Sequence, residues 1–354
     1  MSGPRRNRTM MRKKVLFRVD AGGSVGAGHL MRCLALARYL TEASYEVVVA
    51  CAALEAEYER LMREAGCGRL LLDDGLTLAR DAQLCADYAD LHQFDGVVVD
   101  HYGLDQAWES RLHGSGRILL VIDDLANRPH VCDALLDQND CASTTSRYDE
   151  LLPADSEFFL GPKFALLRCE FAVLRERCAP RGELKRLLVF FSASDEKNET
   201  AKALAGIAQC QRAWQVDVVT GASHPDVAGI ARTCREQGWA HHHQVEYMAA
   251  LMAEADLCLG SAGSASWERC AMGLPAILVQ LADNQAEVMR CLLRHGAALS
   301  LGAAERVQAS HYAQALDAFG PQKLAAMSQA AFELVDGKGV TRVAEWIMKR
   351  LWRR

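Results

Sequence analysis

Residues 15–40, VLFRVDAGGSVGAGHLMRCLALARYL, predict a strand, a glycine-rich loop and a helix. The segment VLFRV is rich in β-branched and aromatic residues and ends at Asp20, and several glycines follow it. Apolar side chains then recur at helical spacing from Leu30 to Leu40, which buries one face of a helix. A strand that turns tightly into a helix places this loop at the carboxyl edge of a parallel sheet, where open α/β proteins bind ligands.

His29 lies at the start of the predicted helix and is a candidate general base. The positive end of the helix dipole disfavours an imidazolium ion at this position. A neutral imidazole near physiological pH is what a general base requires. For this stretch on its own, a histidine that only caps or packs is an equally good interpretation.

The N-terminal half continues the alternation of strands and helices. Further strands are predicted at 45–50, 69–72, 96–100, 118–123 and 134–137, with helices at 54–65, 76–91 and 105–112. Because these strands are continuously apolar, we expect helices on both faces of their sheet. The alternation predicts a doubly wound parallel sheet.

Polar side chains follow several of these strands at the point where each strand ends. They are Asp100, His101 and Tyr102 after the fourth strand, Asp123 and Asp124 after the fifth, and residues 137–139 after the sixth. Polar groups at the ends of neighbouring parallel strands converge on one crevice. A single aspartate more often caps a turn, but the repetition favours a binding site.

The composition is typical of a globular protein with room for two domains. Of 354 residues, 50% are hydrophobic and 24% are charged. The net charge of −5 argues against a nucleic-acid-binding protein, which usually has a basic face. The 13 cysteines are spread along the chain without a Cys-x-x-Cys pair. This pattern predicts buried thiols in a reducing compartment, and no disulfide or zinc framework.

The predicted domains are 15–178 and 184–354, joined by a short linker that contains Pro180 and Gly182. Residues 1–14 are basic and are predicted to form a disordered arm. The last helix could pack back on the first domain. No apolar run is long enough to span a membrane, so a cytoplasmic protein without stable membrane insertion is expected.

A second alternation, from residue 186 onward, predicts another Rossmann-like domain. Its strands are predicted at 186–191, 215–220, 240–245, 256–260 and 276–280, and its helices include 198–209, 248–255 and 267–272. The three consecutive histidines 241–243 are not interpreted as a metal site. Side chains alternate along a strand, so all three cannot reach one ion.

The segment GSAGSASWE, from Gly260 to Glu268, is the candidate ligand loop of this second domain. Its small residues let the backbone approach a ligand, and Ser264 could cap the next helix, whose free N–H groups can hold a diphosphate. Glu268 lies one turn further on the same face. Its carboxylate could accept hydrogen bonds from both hydroxyls of a ribose. An ordinary capped helix is the alternative interpretation.

Several blocks of the chain, taken in order, resemble the PseG family of UDP-sugar hydrolases in pseudaminic acid biosynthesis. The blocks are RVDAGGSVGAGHLMRCLALA (18–37), VVVDHYGLD (97–105), VIDDLANRPHVCDALLDQN (121–139), GPKFALLR (161–168), SDEKN (194–198) and GSAGSASWERCAMGLPAILVQLADNQ (260–285). The resemblance implies the GT-B architecture, with two Rossmann-like doubly wound α/β domains facing across a cleft. It also implies metal-independent hydrolysis of UDP-2,4-diacetamido-2,4,6-trideoxy-β-L-altropyranose to UDP and the free sugar. Direct displacement by water at C1 predicts inversion.

The resemblance also implies roles for single residues. The family's general base falls on His29, and its nucleotide-binding glutamate falls on Glu268. Asp20 is expected to orient His29. Backbone N–H groups at Ser264 and Ala265 are expected to hold the diphosphate, so that no metal or cofactor is required. The remaining candidates for binding the substrate are Gly26, Gly28, Tyr102, Lys163, Arg168, Asn284 and Gln285.

Two other functions stay open at this point. A glycosyltransferase of the MurG kind shares the architecture and the donor. It would need an acceptor site and usually an apolar, basic membrane-facing patch, which residues 45–95 do not show. A non-catalytic nucleotide-sugar-binding protein would not need both His29 and Glu268. The fold alone does not separate these functions. The expected partner is a UDP-sugar in each case, with no nucleic acid bound, and a monomer is expected.

Overall fold

A computed structural model describes residues 12–21, 28–52, 56–114, 116–139 and 145–353. Contacts divide the described residues into two units. Unit 1 comprises those of Met1–Asp137, Thr144–Phe159 and Val340–Arg354, and unit 2 those of Gln138–Ser143 and Leu160–Gly339. Residues 160–178, assigned to the first domain from the sequence, therefore group with unit 2. The end of the chain from Val340 onward groups with unit 1.

Unit 1 is built on a seven-stranded sheet. Its strands are β1 (Lys14–Val19), β2 (Glu46–Cys51), β3 (Gly68–Leu71), β4 (Gly96–Asp100), β5 (Ile118–Ile122), β6 (Ala134–Asp137) and β7 (Glu157–Leu160). They lie in the order β3-β2-β1-β4-β5-β6-β7, and the neighbouring pairs from β3 to β6 are parallel. Strands β4, β5 and β6 are buried along their whole length, as expected for strands covered on both faces.

Helices follow the first four strands of unit 1. They are α1 (Gly28–Glu42), α2 (Ala56–Glu64), α3 (Leu78–Leu91) and α4 (Gln106–His113). Helix α1 buries Leu30, Leu36 and Leu40 completely. Leu36 and Leu40 lie one turn apart on the same face, and Leu30 lies within about a third of a turn of both. Their burial fixes α1 against the sheet and so positions the residues of its first turn.

Unit 2 is built on a six-stranded parallel sheet. Its strands are β8 (Arg186–Phe190), β9 (Gln215–Thr220), β10 (Ala240–His243), β11 (Leu257–Ser261), β12 (Ala276–Gln280) and β13 (Ala298–Ala303), in the order β10-β9-β8-β11-β12-β13. Its helices are α5 (Cys169–Arg175), α6 (Glu199–Ile207), α7 (Val227–Gln237), α8 (Met248–Glu254), α9 (Ala265–Ala271), α10 (Ala286–Arg294), α11 (Ala309–Asp317) and α12 (Pro321–Leu334). The final helix, α13 (Gly339–Arg353), buries Val343, Ile347 and Leu351.

The strand order reverses at one position in each sheet. In unit 1 the reversal lies between β1 and β4, and in unit 2 it lies between β8 and β11. Ligands of open α/β sheets bind outside the carboxyl ends of the strands at such a position. The residues that follow β1 and β4, and those that follow β8 and β11, therefore form the candidate site of each unit.

The prediction of two doubly wound parallel sheets is confirmed. Strands β4, β6, β9 and β12 have the predicted bounds. The helix predicted at 267–272 begins earlier, at Ala265. Strands β7 and β13 were not predicted, because their side chains are only partly buried or exposed and form no strong apolar run.

Two further sequence predictions concern the cysteines and the membrane. Among the residues that the structure describes, eleven cysteines have free thiols, but Cys291 is disulfide-bonded. The prediction of thiols throughout is therefore wrong at this residue. Within the described ranges, no helix combines the length and the apolar character needed to cross a bilayer.

Candidate active site

His29 lies in the first turn of α1, at the carboxyl edge of the unit 1 sheet. Its Nδ1 atom is 2.6 Å from Oδ1 of Asp100, the last residue of β4. His29 is 9% exposed and Asp100 is 1% exposed. The pair therefore links the start of α1, the helix that follows β1, to the end of β4 at the reversal of strand order.

Arg32, one turn after His29, clamps the same carboxylate. Its Nε donates to Oδ2 of Asp100 at 2.6 Å, and its Nη2 donates to Oδ1 at 2.7 Å. Such bidentate pairs are strong and well oriented. Burial would raise the pKa of Asp100, but Arg32 and His29 outweigh burial and hold this pKa well below its ordinary value. Asp100 is therefore ionised at neutral pH.

The ionised carboxylate determines where the proton of His29 lies. A carboxylate without a proton can only accept hydrogen bonds, so Nδ1 of His29 is the donor in the 2.6 Å contact. In its neutral form the ring then carries its lone pair on Nε2. This atom has no hydrogen-bond partner among the residues that the structure describes. An imidazole held in this way can take a proton from a water molecule.

Asp20 does not orient His29, so this prediction is wrong. Its carboxylate accepts hydrogen bonds from Arg18 Nη1 at 2.6 Å and from the Ala52 backbone N–H at 2.8 Å, and it lies 3.0 Å from His101 Nε2. Burial would raise the pKa of Asp20, but these contacts hold it well below its ordinary value. The pairing is crossed. His29, which follows β1, contacts the aspartate at the end of β4, and His101, which follows β4, contacts Asp20 after β1.

Tyr102 packs beside His29. The two ring centroids are 4.6 Å apart in an edge-to-face arrangement. The Tyr102 hydroxyl donates to Oδ1 of Asp124 at 2.9 Å, and Oδ2 of Asp124 is 3.4 Å from Nη1 of Arg32. Burial and the Asp124 charge raise the pKa of Tyr102 above its ordinary value. The phenol therefore stays protonated, and its exposed ring remains accessible to a ligand.

A second polar network fixes the strand ends behind this site. Arg128 donates to Oδ1 of Asp123 at 2.7 Å and to the carbonyl oxygen of His101 at 3.1 Å. Tyr148 donates to Oδ2 of Asp137 at 2.8 Å. Asp123 and Asp137 are fully buried. The network thus ties together the loops after β4, β5 and β6, including the loop that carries Tyr102.

Arg32 is the residue of this site that the sequence analysis missed. Its signal is the spacing from His29, since residues three apart share one helix face. Asp100 was noted as a strand-end residue, but its pairing with His29 was not predicted. Of the two glycines proposed to bind substrate, Gly28 is the first residue of α1, and Gly26 lies outside the described residues.

Glu268 lies in the first turn of α9, at the carboxyl edge of the unit 2 sheet. Its Oε1 is 3.5 Å from Nη2 of Arg168, whose Nη1 is 2.9 Å from Glu170. Burial raises the pKa of Glu268 above its ordinary value, and the Arg168 and Arg269 charges oppose the rise only in part. Added hydrogen-bond donors, such as the hydroxyls of a ribose, favour the ionised form of such a carboxylate.

Ser264 and Ala265 lie at the start of α9. The side chain of Ser264 makes no capping hydrogen bond, so the predicted cap is wrong. The backbone N–H groups of both residues have no partner within the described ranges, as is usual for a helix start. The indole of Trp267 donates to Oδ1 of Asn139 at 2.8 Å and anchors the helix inside unit 2.

The side chain of Gln285 lies beside this loop. Oε1 of Gln285 accepts from the Leu281 backbone N–H at 2.9 Å. A Cβ atom built on Gly263 would lie 3.8 Å from Nε2 of Gln285, so this amide faces the small-residue loop. Asn284 and Lys163 are exposed.

The histidines 241–243 bind neighbouring side chains. Nε2 of His241 is 2.9 Å from the Thr220 hydroxyl, and Nε2 of His242 is 2.9 Å from Oδ1 of Asp217. In the part of the chain that the structure describes, no group of three or more histidine, cysteine, aspartate or glutamate side chains could hold a metal ion.

No family model matches the chain. It is 25% identical over 221 residues to the UDP-2,4-diacetamido-2,4,6-trideoxy-beta-L-altropyranose hydrolase of Campylobacter jejuni, covering 62% of this chain and 73% of that protein. It is 21% identical over 283 residues to an uncharacterized protein of Methanocaldococcus jannaschii, covering 77% and 57%. It is 25% identical over 195 residues to the spore coat polysaccharide biosynthesis protein SpsG of Bacillus subtilis, covering 53% and 57%. The chain is a distant homologue of these proteins. It spans little more than half the length of the last two.

Solved structures establish the fold. MurG of Acinetobacter baumannii is 16% identical with a TM-score of 0.69, over 95% of this chain and 99% of that one. UGT2 of Phytolacca americana, solved with UDP-2-fluoro-glucose and pterostilbene, is 12% identical with a TM-score of 0.68, over 96% and 99%. The chain has the GT-B fold. At these identities the likeness defines the fold and not the reaction.

Proposed function

We propose that this protein hydrolyses a UDP-sugar and that His29 is its general base. The observation that carries the proposal is the contact between His29 and Asp100 at the strand reversal of unit 1, which directs a lone pair to Nε2. The distant homology to the Campylobacter hydrolase supports it, as does the fold shared with a plant enzyme solved with a UDP-sugar analogue. The substrate we propose is that of the Campylobacter relative, in a step of pseudaminic acid biosynthesis.

The proposed reaction needs a base more than it needs an acid, because UDP leaves readily from an anomeric carbon. A water molecule attacks C1 from the face opposite UDP. The bond between C1 and the diphosphate oxygen breaks with its electron pair on UDP, and Nε2 of His29 takes the proton of the water. Asp100 orients the ring and stabilises the imidazolium that forms. A single displacement inverts the configuration at C1.

Unit 2 supplies the nucleotide-binding residues in this proposal. Glu268 accepts hydrogen bonds from the ribose hydroxyls, and the N–H groups of Ser264 and Ala265 bind the diphosphate. The support is the raised pKa of Glu268 and the absence of other partners for these N–H groups within the described residues. Further substrate contacts are proposed for Gly26, Gly28, Tyr102, Lys163, Arg168, Asn284 and Gln285. No metal or cofactor takes part.

The experiment that tests this function is an assay of UDP release from the diacetamido UDP-sugar, with EDTA present and no acceptor added. The expected result is equal amounts of UDP and free sugar. Nuclear magnetic resonance of the first sugar formed should show the inverted anomer. UDP-N-acetylglucosamine is the matched control substrate, and we expect its turnover to be much slower.

A MurG-like glycosyltransferase is the second candidate function, because the MurG structure covers 95% of this chain. It would release UDP only when an acceptor is added. A protein that binds the nucleotide sugar without catalysis would bind UDP, but it would release no UDP from the UDP-sugar either with or without an acceptor. The same assay, run with and without candidate acceptors, therefore separates all three functions.

A further inference from the structure

Arg269 is a buried cation in the candidate site of unit 2, on helix α9. The residue is 2% exposed. Its Nη2 donates to the carbonyl oxygen of Ser261 at 2.6 Å and to the hydroxyl of Ser266 at 2.9 Å. Its Nη1 is buried and has no hydrogen-bond partner among the described residues. Buried charges are normally paired, because an uncompensated one is costly.

Within the described residues Arg269 forms no ion pair with a neighbouring titratable group, although its charge acts on the carboxylate of Glu268. The carboxylate of Glu268, the preceding residue, is directed to Arg168 at 3.5 Å. Burial raises the pKa of the Cys270 thiol to about 12 and also raises the pKa of Cys258. Both cysteines therefore stay neutral at physiological pH and supply no negative charge.

A second buried arginine of unit 2, Arg181, has its positive charge stabilised by several carbonyl oxygens. It donates to the carbonyl oxygens of Met252, Ala253 and Ala255 at the end of α8, and to that of Met272. The last carbonyl groups of a helix carry partial negative charge, which stabilises a cation there. Arg269 lies in the last turn of α9, but its guanidinium is directed back to Ser261 and Ser266, and it has one carbonyl partner among the described residues.

The position of Arg269 connects this charge to the ligand loop. Both of its hydrogen-bond partners belong to the stretch Gly260–Ser266, which runs from the end of β11 into the first turn of α9 at the strand reversal. A Cβ atom on Gly260 would lie 3.3 Å from Nη1 and 2.5 Å from the carbonyl oxygen of Phe190. A glycine at this position, the penultimate residue of β11, therefore leaves room for the guanidinium.

We propose that Arg269 is a positioning residue whose buried positive charge draws the diphosphate of a nucleoside diphosphate to the loop Gly260–Ser266. The inference rests on the proposed function and specifies which part of the nucleotide is attracted. Arg269 acts through its field and not by contact with the ligand, and a buried charge is little screened by salt. With an effective dielectric constant of about 20, the interaction of one such charge with an anion bound at the loop corresponds to about tenfold in affinity or more.

Equilibrium binding of UDP and of uridine, measured by calorimetry on the full chain, tests this inference. We expect Arg269→Gln to weaken UDP binding about tenfold and to leave uridine binding unchanged. Arg269→Lys keeps the charge and should keep the affinity for UDP. Arg181→Gln is the matched control: it removes a buried arginine of the same unit, and should lower thermal stability without selective loss of UDP binding.

The outcomes separate this inference from the proposed function. If the wild-type protein releases UDP from its substrate and Arg269→Gln binds UDP normally, only the inference on Arg269 is overturned. Equal weakening of UDP and uridine would show a structural role and would also overturn it. If the wild type binds neither ligand, the proposed function fails. Should Arg269→Gln not fold, Arg269→Lys decides: retained UDP binding supports the inference, and a folded variant that binds UDP no better than uridine contradicts it.

Discussion

Nδ1 of His29 lies 2.6 Å from Oδ1 of Asp100, while Asp20 lies 3.0 Å from Nε2 of His101. These two contacts cross between β1 and β4, which are paired in parallel with Val19 opposite Asp100. Asp100 of β4, and not Asp20 after β1, therefore orients the ring of His29. The crossing also places the candidate base at the reversal of strand order, where α/β sheets bind ligands.

Replacing Asp100 by asparagine should lower kcat by about 10²-fold or more, because the amide cannot stabilise the imidazolium that forms in the reaction. Asp20→Asn is the control, since Asp20 contacts His101 and not His29. We expect this variant to keep kcat within about tenfold of the wild type. Steady-state UDP release gives both values, and a larger loss in Asp20→Asn than in Asp100→Asn would contradict the crossed pairing.

Replacing Arg32 by alanine should destabilise the protein by about 3–5 kcal/mol, because it leaves the buried Asp100 without its guanidinium. Arg38 lies on the same helix, where it pairs with Glu42, and the two side chains are 53% and 63% exposed. Arg38→Ala should therefore cost only about 0.5 kcal/mol. Urea unfolding at pH 7 measures both losses, and equal losses would mean that the clamp on Asp100 has no special role.

The low pKa values of Asp20 and Asp100 predict acid sensitivity. The folded pKa of each lies below its unfolded value of about 3.9. The stabilisation is therefore complete above that value and is lost as pH falls through it toward the folded pKa. Urea unfolding between pH 6 and pH 3 should show this loss, with a shallower slope in Asp100→Asn. A slope equal to that of the wild type would contradict the prediction.

Replacing Glu268 by glutamine should change stability and nucleotide binding in opposite directions. Burial raises the folded pKa of Glu268 above the unfolded value of about 4.3. Its contribution to stability is present below that value and is lost as pH rises through the folded pKa. Glu268→Gln should therefore melt higher than the wild type at pH 8, with no gain at pH 4, and should bind UDP more weakly. Glu170→Gln, which alters the other partner of Arg168, is the control.

The sheets could be predicted from the sequence because their central strands carry one strong signal. Strand β4 is buried on both faces, so its sequence, GVVVD, is continuously apolar up to the polar residue at its end. The exposed start of β7 and the partly buried β13 lack that signal. Each lies at the edge of its sheet beside the preceding strand of the chain, and its place there depends on packing in the folded protein, which local patterns do not report.

The sequence predicted which residues belong to the candidate site of unit 1, but not which of them contact each other. Strand ends and the helix start identified His29, Asp20 and Asp100 as residues of one sheet edge. Which aspartate meets the histidine depends on side-chain direction across two strands, and a one-dimensional pattern does not encode it. Arg269 was missed for a related reason: nothing in its local sequence distinguishes a buried, unpaired arginine from a solvated one.

The measurement that tests the central claim most directly is UDP release by the wild type and by His29→Ala, with the diacetamido UDP-sugar, EDTA and no acceptor. His113→Ala is the control, a histidine of the same unit that pairs with Asp133 at 3.2 Å. We expect release by the wild type and by the control, and a loss of about 10²–10⁴-fold in His29→Ala with UDP binding retained. Undiminished release by His29→Ala, or wild-type release that requires an acceptor, would contradict that claim.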